Sequence, residues 1–508
     1  MSTAHETTTG GEHADPPIRT VAGTGESGAK GDGESALSAQ LNRPCGVAVD
    51  GAGALYVCDY SNHRIRRITT DGKISTIAGS GTAGTKGDNG PALSVQLNYP
   101  RGVAVDAEGA VYIADAENHR VRKVTADGKI STVAGTGAKG FLGDGGPATA
   151  ARLDRPFGVA VDSDGVLYIA DYNNHRVRKV TADGKISTVA GTGAKDFSGD
   201  GGPAVSARLR GPYGVAVDGE GNLYIADAEN HRVRKVTADG KISTVAGTGA
   251  KDFGGDGGPA ASARLNTPVG VVVDSAGTLY VSDYHNHRIR KVTADGKIST
   301  VAGTGAADFG GDGGPAASAR LNSPYGIAVD CVDTLYIADH ANHRIRKVAS
   351  ARMAGLPDSG TVVSWANVRS RLRMGVLRES VKDGAEIHQS LAAPRDHQRW
   401  RLVVAGQDEG DVLYTIENVR SGKVLEVVGA REATGAAVAQ RAYEGGDARH
   451  QHWRLIPVGS VNGTPATYEI ANRNSGLLLR TDTNARAAIT QDGAEGDHRN
   501  RQWHLLPV

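Results

Sequence analysis

Three observations predict an all-β chain made of two different repeat domains. Pro44, Pro100, Pro156, Pro212, Pro268 and Pro324 recur every 56 residues, and each opens a near-copy of one unit. Trp400, Trp453 and Trp503 close a second, threefold repeat. Composition agrees: with 70 glycines and 5% aromatics among 508 residues, the chain suits short strands and tight turns. That length also exceeds what one hydrophobic core usually supports.

The polar stretch Met1 to Pro17 lacks the apolar core of a signal peptide, and residues 1–17 are expected to be a disordered N-terminal segment. No apolar run approaches membrane-spanning length, so no membrane is expected and the cytoplasm is the expected location. A formal net charge of +1 gives no field towards nucleic acid. Cys45, Cys58 and Cys331 are too few and odd in number for a disulfide framework. Cys58 stands where other copies carry Ala114, Ala170, Ala226, Ser282 and Ala338, as a small packed side chain would.

Each 56-residue unit carries four strand signals, for example Gly158 to Asp162, Leu167 to Asp171, His175 to Val180 and Lys185 to Gly191, separated by turn residues. Six such sheets cannot bury both faces alone but do so against two neighbours, which predicts a six-bladed β-propeller over residues 18–348. Ile18 to Gly23 (IRTVAG) repeats the fourth-strand motif, and that motif is missing after Val348. The N-terminal strand is therefore expected to close the last blade and remove an open sheet edge. An Ala-rich stretch after each Gly-rich loop is expected to form one helical turn with Pro at its first position.

The recurring Asp-x-x-Asn-His-Arg segment, as in Asp171, Asn174, His175 and Arg176, resembles the hallmark of NHL repeats across about residues 18–348. That resemblance implies the propeller fold but no single function, because NHL propellers include RNA binders, protein-interaction modules, sensor domains and a few lyases.

The six repeat histidines, His63, His119, His175, His231, His287 and His343, begin third strands too far from the axis to share one ion, so hydrogen bonding is their expected role. Asp32, Asp88, Asp144, Asp200, Asp256 and Asp312 supply one carboxylate per loop, too few for calcium. The copies differ instead in the loops of one face. Before the first strand stand Cys45, Arg101, Phe157, Tyr213, Val269 and Tyr325; after the second stand Tyr60, Glu117, Tyr172, Glu229, Tyr284, His285 and His340. Tyr and Arg are common interface anchors, so Tyr60, Arg101, Phe157, Tyr172, Tyr213, Tyr284, His285, Tyr325 and His340 form the candidate surface for a protein, peptide or glycan. Only Arg101 adds unpaired positive charge there, so nucleic acid is not the expected partner.

The rival reading is a metal-dependent lyase or hydrolase at the mouth of the propeller channel, with Glu229, His285 and His340 as its best available set. The fold is similar to that of peptidyl-hydroxyglycine amidating lyase and streptogramin B lyase, but their site patterns are not found. No catalytic residue, metal or cofactor is therefore assigned.

Residues 349–360 read as a linker. Beyond it, Asn367, Asn418 and Asn472 each lie three residues before a serine, and three lobes of about fifty residues predict a β-trefoil over 361–508. Gln398-Arg399-Trp400 and Gln451-His452-Trp453 resemble the Gln-x-Trp signature of ricin B-type lectins; the third lobe departs, with Arg501-Gln502-Trp503. The resemblance implies carbohydrate binding only in the middle lobe. There Glu426 takes the position of the hydroxyl-accepting acid, Tyr443 the aromatic platform, and His450 precedes the amide of Gln451; the other lobes hold Gly375 or Arg480 at the acid position. A single such site implies weak binding.

Overall fold

The computed structural model describes residues 16–51, 53–274, 276–330, 333–349, 357, 359–367, 373–390, 396–408, 411–434, 436–445, 448–461, 464–475, 477–481, 489–492 and 502–507. Cys331 and Arg501 lie outside them, as do residues 1–15 of the segment expected to be disordered. Pro16 and Pro17, the end of that segment, are described and pinned: the Pro16 carbonyl accepts from the Ala316 N–H, and Pro17 bridges Pro315.

Six antiparallel sheets form the propeller. One blade comprises Pro156–Val161, Leu167–Asp171, Arg176–Val180 and Ile186–Ala190, paired in chain order. In the last blade the fourth strand is Ile18–Ala22, which pairs Ile18 with Val348 and Thr20 with Arg346. The expected helical turns are tight 3-10 turns such as Ala148–Ala150, with Pro147 just before the turn rather than inside it.

Blades pack face to face because their strands are apolar on both sides. One core joins Ala104, Ala114 and Val121 of the second blade to Val159, Leu167 and Ile169 of the third. Nearest the axis, an added Cβ at Gly158 would stand 2.4 Å from the Tyr213 carbonyl oxygen of the next blade, so only glycine permits that approach. The corresponding glycines around the ring make the same contact at 2.3–2.6 Å.

The repeat motif holds this ring together. Asp171 accepts the Asp154 backbone N–H at 2.7 Å and the Asn174 amide at 2.8 Å, tying the loop before the first strand to the second. His175, at φ 51°, accepts through Nδ1 the Gly211 backbone N–H of the next blade at 3.1 Å. The same inter-blade bond recurs for the other five histidines at 3.0–3.2 Å, ending with His343 on Arg43. Arg178 is fully buried between Asp171 and Asp144, and Asp144 also accepts the Thr188 hydroxyl. The loop aspartates are thus committed to arginine and threonine. In the last blade the threonine is Thr20 of the closing strand.

Two opposed proton linkages follow. Burial lowers the pKa of all six histidines, so their contribution is present above the unfolded value near 6.5 and lost as pH falls through the folded value. Burial raises Asp59, Asp115, Asp227, Asp283 and Asp339 to about 6 and Asp171 to about 7, so their contribution is present below the unfolded value and lost as pH rises through 6 to 7. As pH falls below about 6.5 the histidines therefore weaken the fold while protonation of the aspartates offsets that loss. Urea midpoints should therefore stay nearly level across this range; a steep acid-side fall would show that the aspartates remain ionised.

The C-terminal domain is a trefoil. Val362–Asn367, Trp400–Asp408, Asp411–Asn418, Trp453–Val461, Thr464–Asn472 and Gln502–Pro507 pair in a closed circle, and three hairpins cap it. Trp400, Trp453 and Trp503 are fully buried, and their indole N–H groups donate to the carbonyls of Met374, Leu425 and Leu479. Asn418 and Asn472 cap the turns carrying Ser421 and Ser475, whose hydroxyls donate to the buried Gln440 and Gln491.

Candidate functional site

Each first propeller strand is entered through a residue at positive φ, for example Tyr99 at 52° and Arg155 at 52°. A residue before proline is restricted, and the left-handed turn is held by the histidine of the preceding blade. The turn sends the residue after each proline towards the axis, where those of all six blades meet.

There the structure brings together all nine residues expected on the recognition face. Phe157 stacks on Tyr172 at 4.2 Å between ring centroids and lies 4.7 Å from Tyr213. Tyr213 contacts Tyr325, which stacks on His340 at 5.5 Å and meets Tyr284 edge-on. His340 reaches Tyr60, and the Arg101 guanidinium lies over the rings of Tyr60 and Phe157, closing the circle. His285 joins through Tyr284.

The arrangement corrects one expectation. Phe157 and Tyr325 are 4% and 8% exposed, and Cys45 and Val269 are buried with them, because residues converging on the axis cover one another. Tyr60, Arg101, Tyr172, Tyr213, Tyr284 and His340 are half-buried and His285 is exposed, so the site is a packed cup with an accessible lip. Tyr99 also belongs to the lip: it is exposed and stands 4.9 Å from Tyr60 and 4.5 Å from His63. Its signal in the sequence was the irregular position before each proline.

Hydroxyls fix the cup. Tyr172 donates to Glu229 at 2.7 Å, and Glu229 pairs with Arg210 and Lys195. Burial raises the Tyr172 phenol and lowers the His340 imidazole to about 4. His340 Nδ1 lies 3.5 Å from Cys45 Sγ, but burial pushes that thiol up to about 12, so the pair holds no activated nucleophile. Glu229, His285 and His340 do not converge: Glu229 serves Tyr172, His285 lies against Tyr284, and His340 Nδ1 lies 3.2 Å from the Pro44 carbonyl.

In the trefoil, Glu426 is 1% exposed. Its carboxylate accepts from Arg441 Nε at 2.8 Å and from Gln451 Nε2 at 3.2 Å. Gln451 is fully buried and holds the loop through the Ala442 carbonyl and the Glu444 N–H, as the core role of its motif requires. The carboxylate expected to face sugar hydroxyls is therefore covered, since a strand acid at this depth needs Arg441 and Gln451 to compensate its burial. Tyr443 is 47% exposed and positioned near His452. Half-buried His450 stands between Glu426 and Glu444. Among the described residues these three, Glu426, Glu444 and His450, are the one group at metal-ligand spacing, and Arg441 already occupies the buried carboxylate.

Comparison with known proteins agrees with both domains. A ricin-type β-trefoil lectin domain-like model matches residues 355–441 and 396–491. An NHL repeat model matches 97–124, 153–180 and 265–292, and a teneurin NHL domain model matches 12–86, 192–253 and 285–350. Teneurin-4 of Mus musculus is 32% identical over 60% of this chain and 12% of its own length. NHL repeat-containing protein 2 of Bos taurus is 31% identical over 58% of this chain and 44% of its own. The chain thus spans less than half the length of these relatives. A solved protein of unknown function from Bacteroides thetaiotaomicron shares the fold, at 22% identity and a TM-score of 0.50 over 66% of this chain and 75% of that one. Two domains of these kinds support a binding or scaffold role. The chain joins a six-bladed NHL-repeat propeller to a ricin-type β-trefoil lectin-like domain.

Proposed function

We propose that this is a non-catalytic binding protein whose propeller mouth recognises a protein, peptide or glycan, with the trefoil adding weak carbohydrate binding. The observation that carries the reading is the aromatic cup itself. Six blades whose joints are near-identical differ where their side chains converge, and they place large, entropically inexpensive rings there.

Carbohydrate binding in the middle lobe rests on Tyr443, which offers an exposed face to a sugar ring. Glu426 is buried and paired with Arg441, so weak affinity is expected.

Peptide and glycan arrays probed with the whole chain test both parts. Tyr284→Ala, at the lip, is expected to reduce propeller-dependent signal about tenfold, a hot-spot loss of about 1.4 kcal/mol. Tyr443→Ala should abolish the glycan signal of the trefoil. Unchanged arrays for Tyr284→Ala would remove the mouth from recognition, and an unchanged glycan pattern for Tyr443→Ala would remove the trefoil site.

A further inference from the structure

We propose that the propeller mouth contains a carboxylate site built on Arg101, which takes the carboxylate of an apolar or aromatic ligand group. The inference rests on the mouth being the recognition surface and specifies the chemistry it recognises.

Arg101 leans across the cup from the strand Pro100–Val105. Nη1 donates to Tyr325 Oη at 2.8 Å and Nη2 to Tyr60 Oη at 3.1 Å. The guanidinium carbon lies 4.8 Å from the Tyr60 centroid and 4.2 Å from that of Phe157. All of these partners are neutral. Among the described residues Arg101 forms no ion pair, and its buried Nε has no acceptor.

The contrast with the fully buried arginines is sharp. Arg66, Arg122, Arg178, Arg234, Arg290 and Arg346 each lie between two aspartates. A cation withdrawn from water without a counter-charge is costly, and phenol hydroxyls and π-faces offset only part of that cost. An incoming anion recovers the remainder. The nearby rim acids do not supply it, since Glu117 pairs with Arg155 and Glu229 with Arg210 and Lys195.

The site's charge and shape select the anion. A guanidinium has five N–H bonds; with two given to tyrosines and the Nε–H buried, two Nη–H bonds remain, enough for a planar carboxylate. Inside the cup the other titratable groups add no second cation, exposed Arg43 acting on Cys45 and His340 from the rim: His340 is held neutral by burial, and the Cys45 thiol and the phenols of Tyr60, Tyr172, Tyr213 and Tyr325 are held protonated. One positive charge suits a monoanion better than a doubly charged phosphate, while the rings of Phe157 and Tyr213 provide apolar walls for the group bearing it.

Titration calorimetry of the full chain with benzoate, its neutral analogue benzamide, and inorganic phosphate tests the site. Saturable benzoate binding is expected, weakened at least tenfold in Arg101→Met and by added salt, with benzamide and phosphate inactive. If Arg101→Met does not fold, Arg101→Lys keeps the charge but loses the fork, and a several-fold weaker affinity is expected from it. The proposal is overturned by no saturable benzoate binding, by equal binding of benzamide, by tighter binding of phosphate, or by benzoate affinity that survives both substitutions. Arrays that keep their mouth-dependent signal while benzoate fails would sink the carboxylate site alone, whereas benzoate binding with silent arrays would sink the broader reading alone.

Discussion

Deletion of residues 1–23 destabilises the propeller by several kcal/mol, on the order of 5. The deletion removes Ile18 and Ala22, both fully buried, from the core they share with the last blade and its neighbours. It breaks the ladder to Arg344–Val348 and leaves that strand as an open edge. It also takes away Thr20, which donates to the Asp312 carboxylate paired with buried Arg346. In urea titrations the truncated chain should unfold at clearly lower denaturant, and a peptide covering residues 16–27 should restore much of the loss. An unchanged midpoint would mean that three strands suffice for the last blade.

Replacing Arg234 by Met costs about 3–5 kcal/mol, the range expected when one partner of a buried ion pair is removed. Arg234 reaches Asp200 at 2.6 Å and Asp227 at 3.4 Å, both arginine and Asp227 being fully buried. The substitution leaves Asp227 with only the Arg210 N–H and the Asn230 amide. It also removes one of the two cations held over Phe197, Arg232 remaining at 3.7 Å from the ring centroid. Because burial already raises the Asp227 carboxyl to about 6, the variant should recover part of its deficit below that pH as the acid becomes neutral. Equal stability of variant and parent at pH 8 would show that the pair contributes nothing to the joint.

The propeller was legible because its strongest constraints repeat. A 56-residue period, four strand signals per unit and the displaced IRTVAG segment define blade number and closure without any knowledge of packing, and the tryptophans of the trefoil do the same for its lobes. The partner of each repeat histidine was not legible, since the Gly211 N–H accepted by His175 depends on a left-handed turn in another blade. Nor was the degree of burial at the mouth: a variable position reads as surface in sequence, yet Phe157 and Tyr325 cover each other's neighbours once six loops converge. Glu426 illustrates the same limit, because its burial depends on Arg441, a residue the carbohydrate motif does not mention.

The closing strand carries one more consequence. Ile18–Ala22 meets its neighbour with the pairing by which Ile186–Ala190 meets Arg176–Val180, including the irregular step before the final alanine. The pairing of the N-terminal strand with the last blade therefore has the same register as the continuous pairings elsewhere in the ring, with Arg19 in the place of Ser187. The ring has no privileged seam, and in a circular permutant the break could be moved to the matching turn of any blade without altering the set of contacts that makes the circle.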